Sequence, residues 1–340
     1  MSNRSSRHSR PEKRRNRGLA AAKRLIQISW NYGIARKDAV SYMPYRLWIE
    51  PTAICNLRCP YCPNKDLVRS EKLGFMDFKL FTKVIDEACQ WVHDINVHHR
   101  GESISHPRFF DIVNYAGERG VFTKLHTNGT KLGEEKAQAV LDSTLDLISF
   151  SFDGFEKETY ERYRVGGHFQ TTLENIVRFL QMKKERGQRK PFTVIEVMDF
   201  PDGNGAFSEE KRQAFEKRFE DLPLDRMIIK KPHNWAGNID MDGEIYTSHY
   251  VPCTFLWHSL VVMWDGKVGP CPHDFLGKIV LGDANVSSLA EIFNSEELIF
   301  LREKMIAGEV GGLQPCANCD TIRRKTILGA PKESLKFLKW

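Results

Sequence analysis

The 340-residue chain has no apolar run approaching the about 18 consecutive residues that a membrane-spanning helix needs. Nor does it open on the short apolar core of a secretory signal. Acidic residues are almost missing from its start. Residues 1–24 hold nine Lys or Arg against the single acid Glu12, a charge of +8, so the net +6 of the chain leaves −2 for the other 316 residues. Ser-rich, basic and poor in apolar side chains, this start cannot bury a core and is expected to be a disordered tail over 1–24. A partner for it would be anionic, a nucleic acid or a membrane surface. Cysteine is also sparse: eight residues, most in close spacings, which suits metal sites in a reducing, cytoplasmic setting better than a disulfide framework.

What is present centres on Cys55-Asn56-Leu57-Arg58-Cys59-Pro60-Tyr61-Cys62, a C-x3-C-x2-C loop after the apolar run Leu47-Trp48-Ile49. Three thiolates on one short loop can hold three irons of a cubane 4Fe–4S cluster. The fourth iron then has no protein ligand here, and an open metal position is where a cofactor or substrate binds directly. Three unrelated thiols or a zinc loop are the alternatives. With Tyr61 before the third cysteine, the loop resembles that of the radical S-adenosylmethionine (SAM) superfamily. The resemblance implies that the amino acid end of SAM chelates the open iron and that SAM is cleaved to a 5′-deoxyadenosyl radical, which abstracts a substrate hydrogen atom. A donor such as flavodoxin or ferredoxin would supply the electron.

From Arg46 short apolar runs alternate with helical patterns, as in βαβ units on a parallel sheet. Strands are expected at Arg46–Pro51, Ile95–His99, Val121–His126, Leu145–Phe152, Phe192–Met198 and Arg226–Lys230. Helices are expected at Asp77–Val92, Pro107–Arg119 with Pro107 in the first turn, Gly133–Leu141, Thr171–Arg186 and Ser208–Phe219. Six repeats are too few for an eight-stranded barrel. They fit the open α/β partial (β/α)6 TIM-like barrel that the resemblance implies, placed at 46–240 behind an N-terminal helical extension at 25–45. That extension begins an amphipathic pattern (Leu25, Ile28, Trp30, Tyr32) expected to dock on the barrel.

Loops after strand C-termini build the site in such barrels. After the second strand, His98-His99-Arg100-Gly101-Glu102-Ser103 resembles the family's Gly-Gly-Glu-Pro, with Arg100 and Ser103 departing from it; Gly101 and Glu102 would hold the SAM ammonium. After the third, His126-Thr127-Asn128-Gly129 is a tight-turn sequence, and the resemblance places Asn128 beside the cofactor. On the fourth strand, Leu147, Ser149, Ser151 and Asp153 share the face expected to line the lumen. Ser151 and Asp153 match a signature that contacts the SAM ribose, and Arg164 matches an arginine that pairs with the SAM carboxylate. Glu196 interrupts an apolar strand and must meet water or a cation. Glu196, His126 and His233 are the candidate bases. His233 and Trp235 either contact a ligand or only pack.

Cys253, Cys271, Cys316 and Cys319, in the pattern C-x12-G-x4-C then C-x2-C, supply four further thiolates. A hairpin at Asp265-Gly266 would carry Cys271 back towards Cys316-Ala317-Asn318-Cys319, and Ser288 to Arg302 has helical spacing. The set resembles the twitch form of the SPASM domain, which implies an auxiliary 4Fe–4S cluster with four cysteine ligands over 241–325, before a tail at 326–340. A structural zinc site with four cysteine ligands fits the spacing equally. Cys89 falls in an apolar helix pattern and reads as a buried core thiol. The expected activity is radical oxidation of a small polar molecule such as a sugar or cyclitol, the auxiliary cluster accepting an electron. The alternatives are a maturase acting on a precursor peptide and a non-catalytic, zinc-stapled nucleic-acid-binding protein.

Overall fold

The computed structural model describes residues 20–69, 73–200, 208–240 and 250–323, together with the backbone of 326–327 and 330–331. Most of the basic tail, and residues 332–340 of the C-terminal tail, lie outside the described residues.

Six parallel strands carry the chain forward: β1 Arg46–Ile49, β2 Asp94–Asn96, β3 Phe122–Thr127, β4 Leu147–Ser151, β5 Phe192–Met198 and β6 Arg226–Lys230. β5 and β6 match the sequence expectation, and the other four are shorter or shifted by a few residues. The hairpin of β7 Ser259–Val262 and β8 Lys267–Gly269 does not form a separate sheet. β7 pairs in parallel with β1, and β9 Gly282–Asp283 follows β8, so one sheet runs β6-β5-β4-β3-β2-β1-β7-β8-β9. The turn between β7 and β8 places Gly266 at φ +96°, a conformation open to glycine and strained for other residues.

The helices are α1 over residues 20–29, α2 Asn64–Arg69, α3 Phe78–Ala88, α4 Phe109–Glu118, α5 Glu134–Asp142, α6 Lys157–Tyr163, α7 Phe169–Glu185, α8 Glu209–Glu216, α9 Phe255–His258, α10 Leu289–Phe293 and α11 Glu296–Ala307. α3 shows why they form. Asp77 caps it by accepting from the Lys79 N–H (2.6 Å), and Leu80, Phe81, Val84, Ile85 and Ala88 make one buried stripe. Pro107 precedes α4 by two residues and is not in its first turn. Ser288–Arg302 is two helices, because Ser295 caps α11 and interrupts the run at Asn294. Cys89 is the half-buried C-cap of α3, its thiol donating to the Asp86 carbonyl (3.5 Å), and is not a core thiol.

Period-two alternation sorts the strands. Leu47, Ile49, Ile95, Leu125, Ile148, Phe150, Ile195 and Val197 are buried beneath the helices. The other parity, from Trp48 and Asn96 through Lys124, His126, Ser149, Ser151 and Glu196 to Lys230, lines the concave face. Arg302 closes the far end. Its buried guanidinium donates to the carbonyls of Leu256, Asp38 and Phe293 at 2.9 Å each, so α9, α10, α11 and the N-terminal segment are held by one satisfied cation.

Candidate active site

The cysteine loop lies at the C-terminal end of β1, where Cys55, Cys59 and Cys62 face one another closely enough for their charges to interact. Burial pushes the Cys55 thiol up to about 11 and the Cys62 thiol up to about 12. A metal reverses that penalty, since it binds and stabilises the thiolates. Arg164, at the C-cap of α6, adds a fixed positive charge beside Cys59.

Gly101 makes the neighbouring wall possible. A Cβ there would lie 2.4 Å from the Thr52 carbonyl oxygen and 2.6 Å from that of Ile54, so the β2 loop can press against the β1 loop only with glycine. Glu102 follows, buried, accepting from Thr127 Oγ1 (2.6 Å) and the Asn128 N–H (2.8 Å). Burial raises its carboxyl, and those hydrogen bonds oppose the rise. The Ile104 N–H is a third donor to this carboxylate, whose charge can still meet an ammonium group. Asn128 Nδ2 reaches back to Asn56 Oδ1 (3.1 Å), joining the third strand's loop to the cysteines.

Arg164 Nη2 pairs with Asp153 Oδ2 (2.6 Å), and Asp153 Oδ1 accepts from the Met198 N–H (2.9 Å). The buried Nε of Arg164 has no partner among the described residues. An orphaned guanidinium N–H beside three thiols and Glu102 fits a zwitterionic amino acid group: Arg164 for the carboxylate, Glu102 for the ammonium. Ser151 ends β4, opposite Glu196 in register. The Tyr61 ring stacks on Phe200 (4.5 Å between centroids), and its backbone carbonyl accepts from Trp235 Nε1 (3.0 Å).

In the lumen Glu196 meets the Lys230 ammonium, Nζ at 2.8 Å, and the His126 ring, Nδ1 at 3.6 Å. Burial would raise Glu196, but His126 and Lys230 bring it below the usual carboxylate range. Burial lowers His126, with Glu196 opposing, so the imidazole is neutral at pH 7. Below them Asp94 holds Arg46 (Nη2 to Oδ2, 3.0 Å) and Lys124 (2.6 Å), while Asn96 Nδ2 is buried without a partner among the described residues. Lys230, Lys124, Asp94 and Asn96 were not singled out in the sequence. Their lumen-facing parity, shared with Ser149 and Glu196, was the signal that could have found them.

The second set of thiols converges too. Burial and the neighbouring Cys253 and Cys319 push Cys271 well up, and burial, with Cys271 and Cys319 beside it, raises Cys316 too. The ligand atoms of His273, Cys319 and Asp320 lie within 4.8 Å of one another. Four thiols so placed, Cys253 and Cys319 buried and Cys271 and Cys316 half-buried, suit a fully ligated metal centre. His233, the third candidate base, stacks on His273 (4.4 Å, 7° between planes), two residues past Cys271. Its neighbour Asn234 donates from Nδ2 to the Asn318 carbonyl (2.6 Å), and the Asn234 N–H donates to Asp320 Oδ2 (3.1 Å). Through Trp235 and Asn234, the loop after β6 therefore touches both cysteine loops.

A second bridge is buried deeper. Arg100 donates from Nε (2.5 Å) and Nη2 (2.7 Å) to the Glu50 carboxylate, whose Oε2 also lies 3.3 Å from His99 Nδ1. Glu50 Oε1 accepts from the Trp264 N–H (3.3 Å), and His99 Nε2 contacts the Pro272 carbonyl (3.1 Å) beside Cys271. Arg100 thus stands where the resemblance had suggested a glycine because its side chain turns inward to neutralise Glu50.

A model of the radical SAM superfamily matches residues 49–201, and a model of an iron–sulfur cluster-binding domain, SPASM, matches 253–320. A tungsten-containing aldehyde ferredoxin oxidoreductase cofactor-modifying protein of Pyrococcus furiosus is 27% identical over 297 residues, spanning 75% of this chain and 82% of that protein. A PqqA peptide cyclase of Ruegeria pomeroyi is 30% identical over 261 residues, 67% of each chain. Among solved structures, Streptococcus suis SuiB bound to precursor peptide SuiA superposes with a TM-score of 0.61 at 13% identity, covering 82% of this chain and 70% of that one. BtrN in complex with AdoMet and 2-DOIA gives 0.54 at 18%, covering 82% and 94%. At these identities the two structures speak for the fold.

Proposed function

Because this chain belongs to the radical SAM superfamily and carries a SPASM iron–sulfur domain, we propose that it is a radical SAM enzyme that oxidises its substrate by one hydrogen atom, one proton and one electron. Cys55, Cys59 and Cys62 would hold the SAM-binding 4Fe–4S cluster, and Cys253, Cys271, Cys316 and Cys319 an auxiliary one. When bound, these groups would supply the redox chemistry: reductive cleavage of SAM, with one electron from an external donor such as flavodoxin or ferredoxin, would remove a hydrogen atom from the substrate, and the auxiliary centre would accept the electron left on carbon. The protein's own part is to hold SAM and take the proton. Glu102 binds the SAM ammonium, Arg164 its carboxylate, and Asp153 with Ser151 its ribose, while Gly101, Asn128 and Tyr61 shape the walls. His126, neutral and 3.6 Å from Glu196, accepts the proton from the hydroxyl of the oxidised carbon. Glu196 stabilises the imidazolium that results.

The observation that carries this reading is the orphaned Arg164 Nε beside three thiols and Glu102. The lumen, with its His126–Glu196–Lys230 row, suits a small polar substrate such as a sugar or cyclitol. Similarity to a PqqA peptide cyclase favours a second reading, a peptide substrate. Anaerobic reconstitution tests the core of the proposal: two cubanes predict about eight irons per chain, with SAM cleaved to 5′-deoxyadenosine under reductant. Cys253→Ala with Cys271→Ala should lose about half of that iron and keep SAM cleavage. Stoichiometric zinc without SAM cleavage would refute the proposal. Stimulation of cleavage by polyols or by peptides then separates the two substrate readings.

A further inference from the structure

The N-terminal helix α1 and the π-turn that continues it, Trp30–Ile34, are apolar on two opposite faces. The inner face docks. Ile28 is buried in the core with Val40 and Tyr42, Arg24 bonds the Met43 carbonyl, and Tyr32 donates to the Pro252 carbonyl (2.8 Å). The outer face, half a turn away, carries Ile26, Trp30 and Ile34, exposed to 70%, 55% and 68%, with Leu25 at its edge. A docked surface helix normally turns polar residues outward, and one that is apolar all round is normally covered. Three large side chains at i, i+4 and i+8 form a continuous stripe rather than scattered exposure.

The charge flanking the stripe in the sequence selects its cover. No acidic residue occurs between Glu12 and Asp38, while Lys13, Arg14, Arg15, Arg17, Lys23, Arg36 and Lys37 do. A second copy of the chain on this face would bring two segments of charge +8 together, at a Coulombic cost. Residues 1–18 offer almost no apolar side chains with which to cover the stripe. A nucleic acid would answer the charge and leave Ile26 and Ile34 in water. An anionic bilayer answers both: its headgroups meet the cations, and its interface takes a Trp flanked by two Ile.

We propose that the Ile26–Trp30–Ile34 face, with the basic residues that flank it in the sequence, is a docking surface for an anionic lipid membrane, holding the enzyme peripherally. The test is co-sedimentation of the reconstituted full chain with vesicles of phosphatidylcholine, with and without phosphatidylglycerol. Binding is expected to the anionic vesicles alone, and to weaken at about 1 M salt, where the Debye length shrinks to ~3 Å. The variant Ile26→Ser with Trp30→Ser and Ile34→Ser should bind at least about a hundredfold more weakly. Its positions are exposed, so circular dichroism and SAM cleavage should be unchanged. Replacing Arg14, Arg15 and Arg17 by Gln should cost about fivefold for each cation. The proposal is overturned by absence of binding to anionic vesicles, or by a triple variant that binds as well as the unaltered chain. A dimer that the triple variant dissociates, or an RNA complex that it abolishes while vesicles do not bind, would overturn it equally.

Discussion

Replacing Arg100 by Met should be among the most destabilising single changes in the chain, for reasons that can be worked from its surroundings. Glu50 is fully buried, and Arg100 is its bidentate partner. Met keeps most of the side-chain volume and leaves the carboxylate with His99 and two backbone N–H groups, those of Trp264 and of residue 100 itself. Breaking a buried pair by removing one partner costs about 3–5 kcal/mol. Linkage gives an independent figure. Burial alone would raise Glu50, yet Arg100 and then His99 bring it from 4.5 down to about 2. At roughly 1.4 kcal/mol per unit, that is about 3 kcal/mol of stability at neutral pH. With an m-value of roughly 4 kcal/mol/M for a chain of this size, the urea midpoint of Arg100→Met should fall by about 1 M. The sign with pH follows from the depressed carboxyl. The contribution is present above pH 4.5 and disappears as pH falls towards 2, so the gap between the unaltered chain and the variant should close in acid. Glu50→Met combined with Arg100→Met removes both charges and should recover most of the loss. Because His99 and Trp264 tie this pair to the Cys271 loop, the single variant should also retain less iron in its auxiliary site. A midpoint shift below about 0.2 M, or a double variant as unstable as the single one, would refute the reasoning.

That ion pair also marks where the sequence stopped being legible. Spacing alone grouped the cysteines into two sets, Cys89 aside, and period-two parity assigned the lumen face of β4; the apolar surroundings of Glu196 called for water or a cation, and Lys230 is the cation beside it. Local signals reached that far because they depend on neighbours within one element. Arg100 looked like a departure from a glycine motif, since its partner Glu50 is 50 residues away, just past the end of β1. The pairing of β7 with β1 was hidden for a similar reason. Either edge of a parallel sheet can accept another strand, and a hairpin pattern does not say which sheet it joins. Arg302 read only as the last residue of a helical pattern, yet three carbonyls from separate segments make it a buried clasp. The break at Asn294 was legible in principle: Ser288-x-x-Glu291 is a capping box, and Ser295 starts the next helix seven residues later.

Two other perturbations probe the SAM site and the lumen. Gly101→Ala drives a methyl group to 2.4 Å from the Thr52 carbonyl, so the loop carrying Glu102 must move. A displacement near 1 Å costs about a hundredfold in SAM cleavage. Equilibrium binding of SAM should weaken with it, and unchanged binding would place the role of Gly101 elsewhere. In the lumen, Glu196→Gln should slow product formation by about 10²–10⁴-fold while SAM cleavage continues, because the base acts after hydrogen abstraction. The pH profile identifies which group carries the proton. Burial lowers His126 from 6.5 and Glu196 opposes that shift, so the imidazole stays neutral and active down to a pH below 6.5 and is lost as protonation sets in. Removing the Glu196 charge takes away the opposing influence, so the acid limb of Glu196→Gln should move to lower pH still. If the limb instead disappears, Glu196 is itself the titrating base. If it stays where it was with product formation intact, neither residue takes the proton and the base lies outside the His126–Glu196 pair.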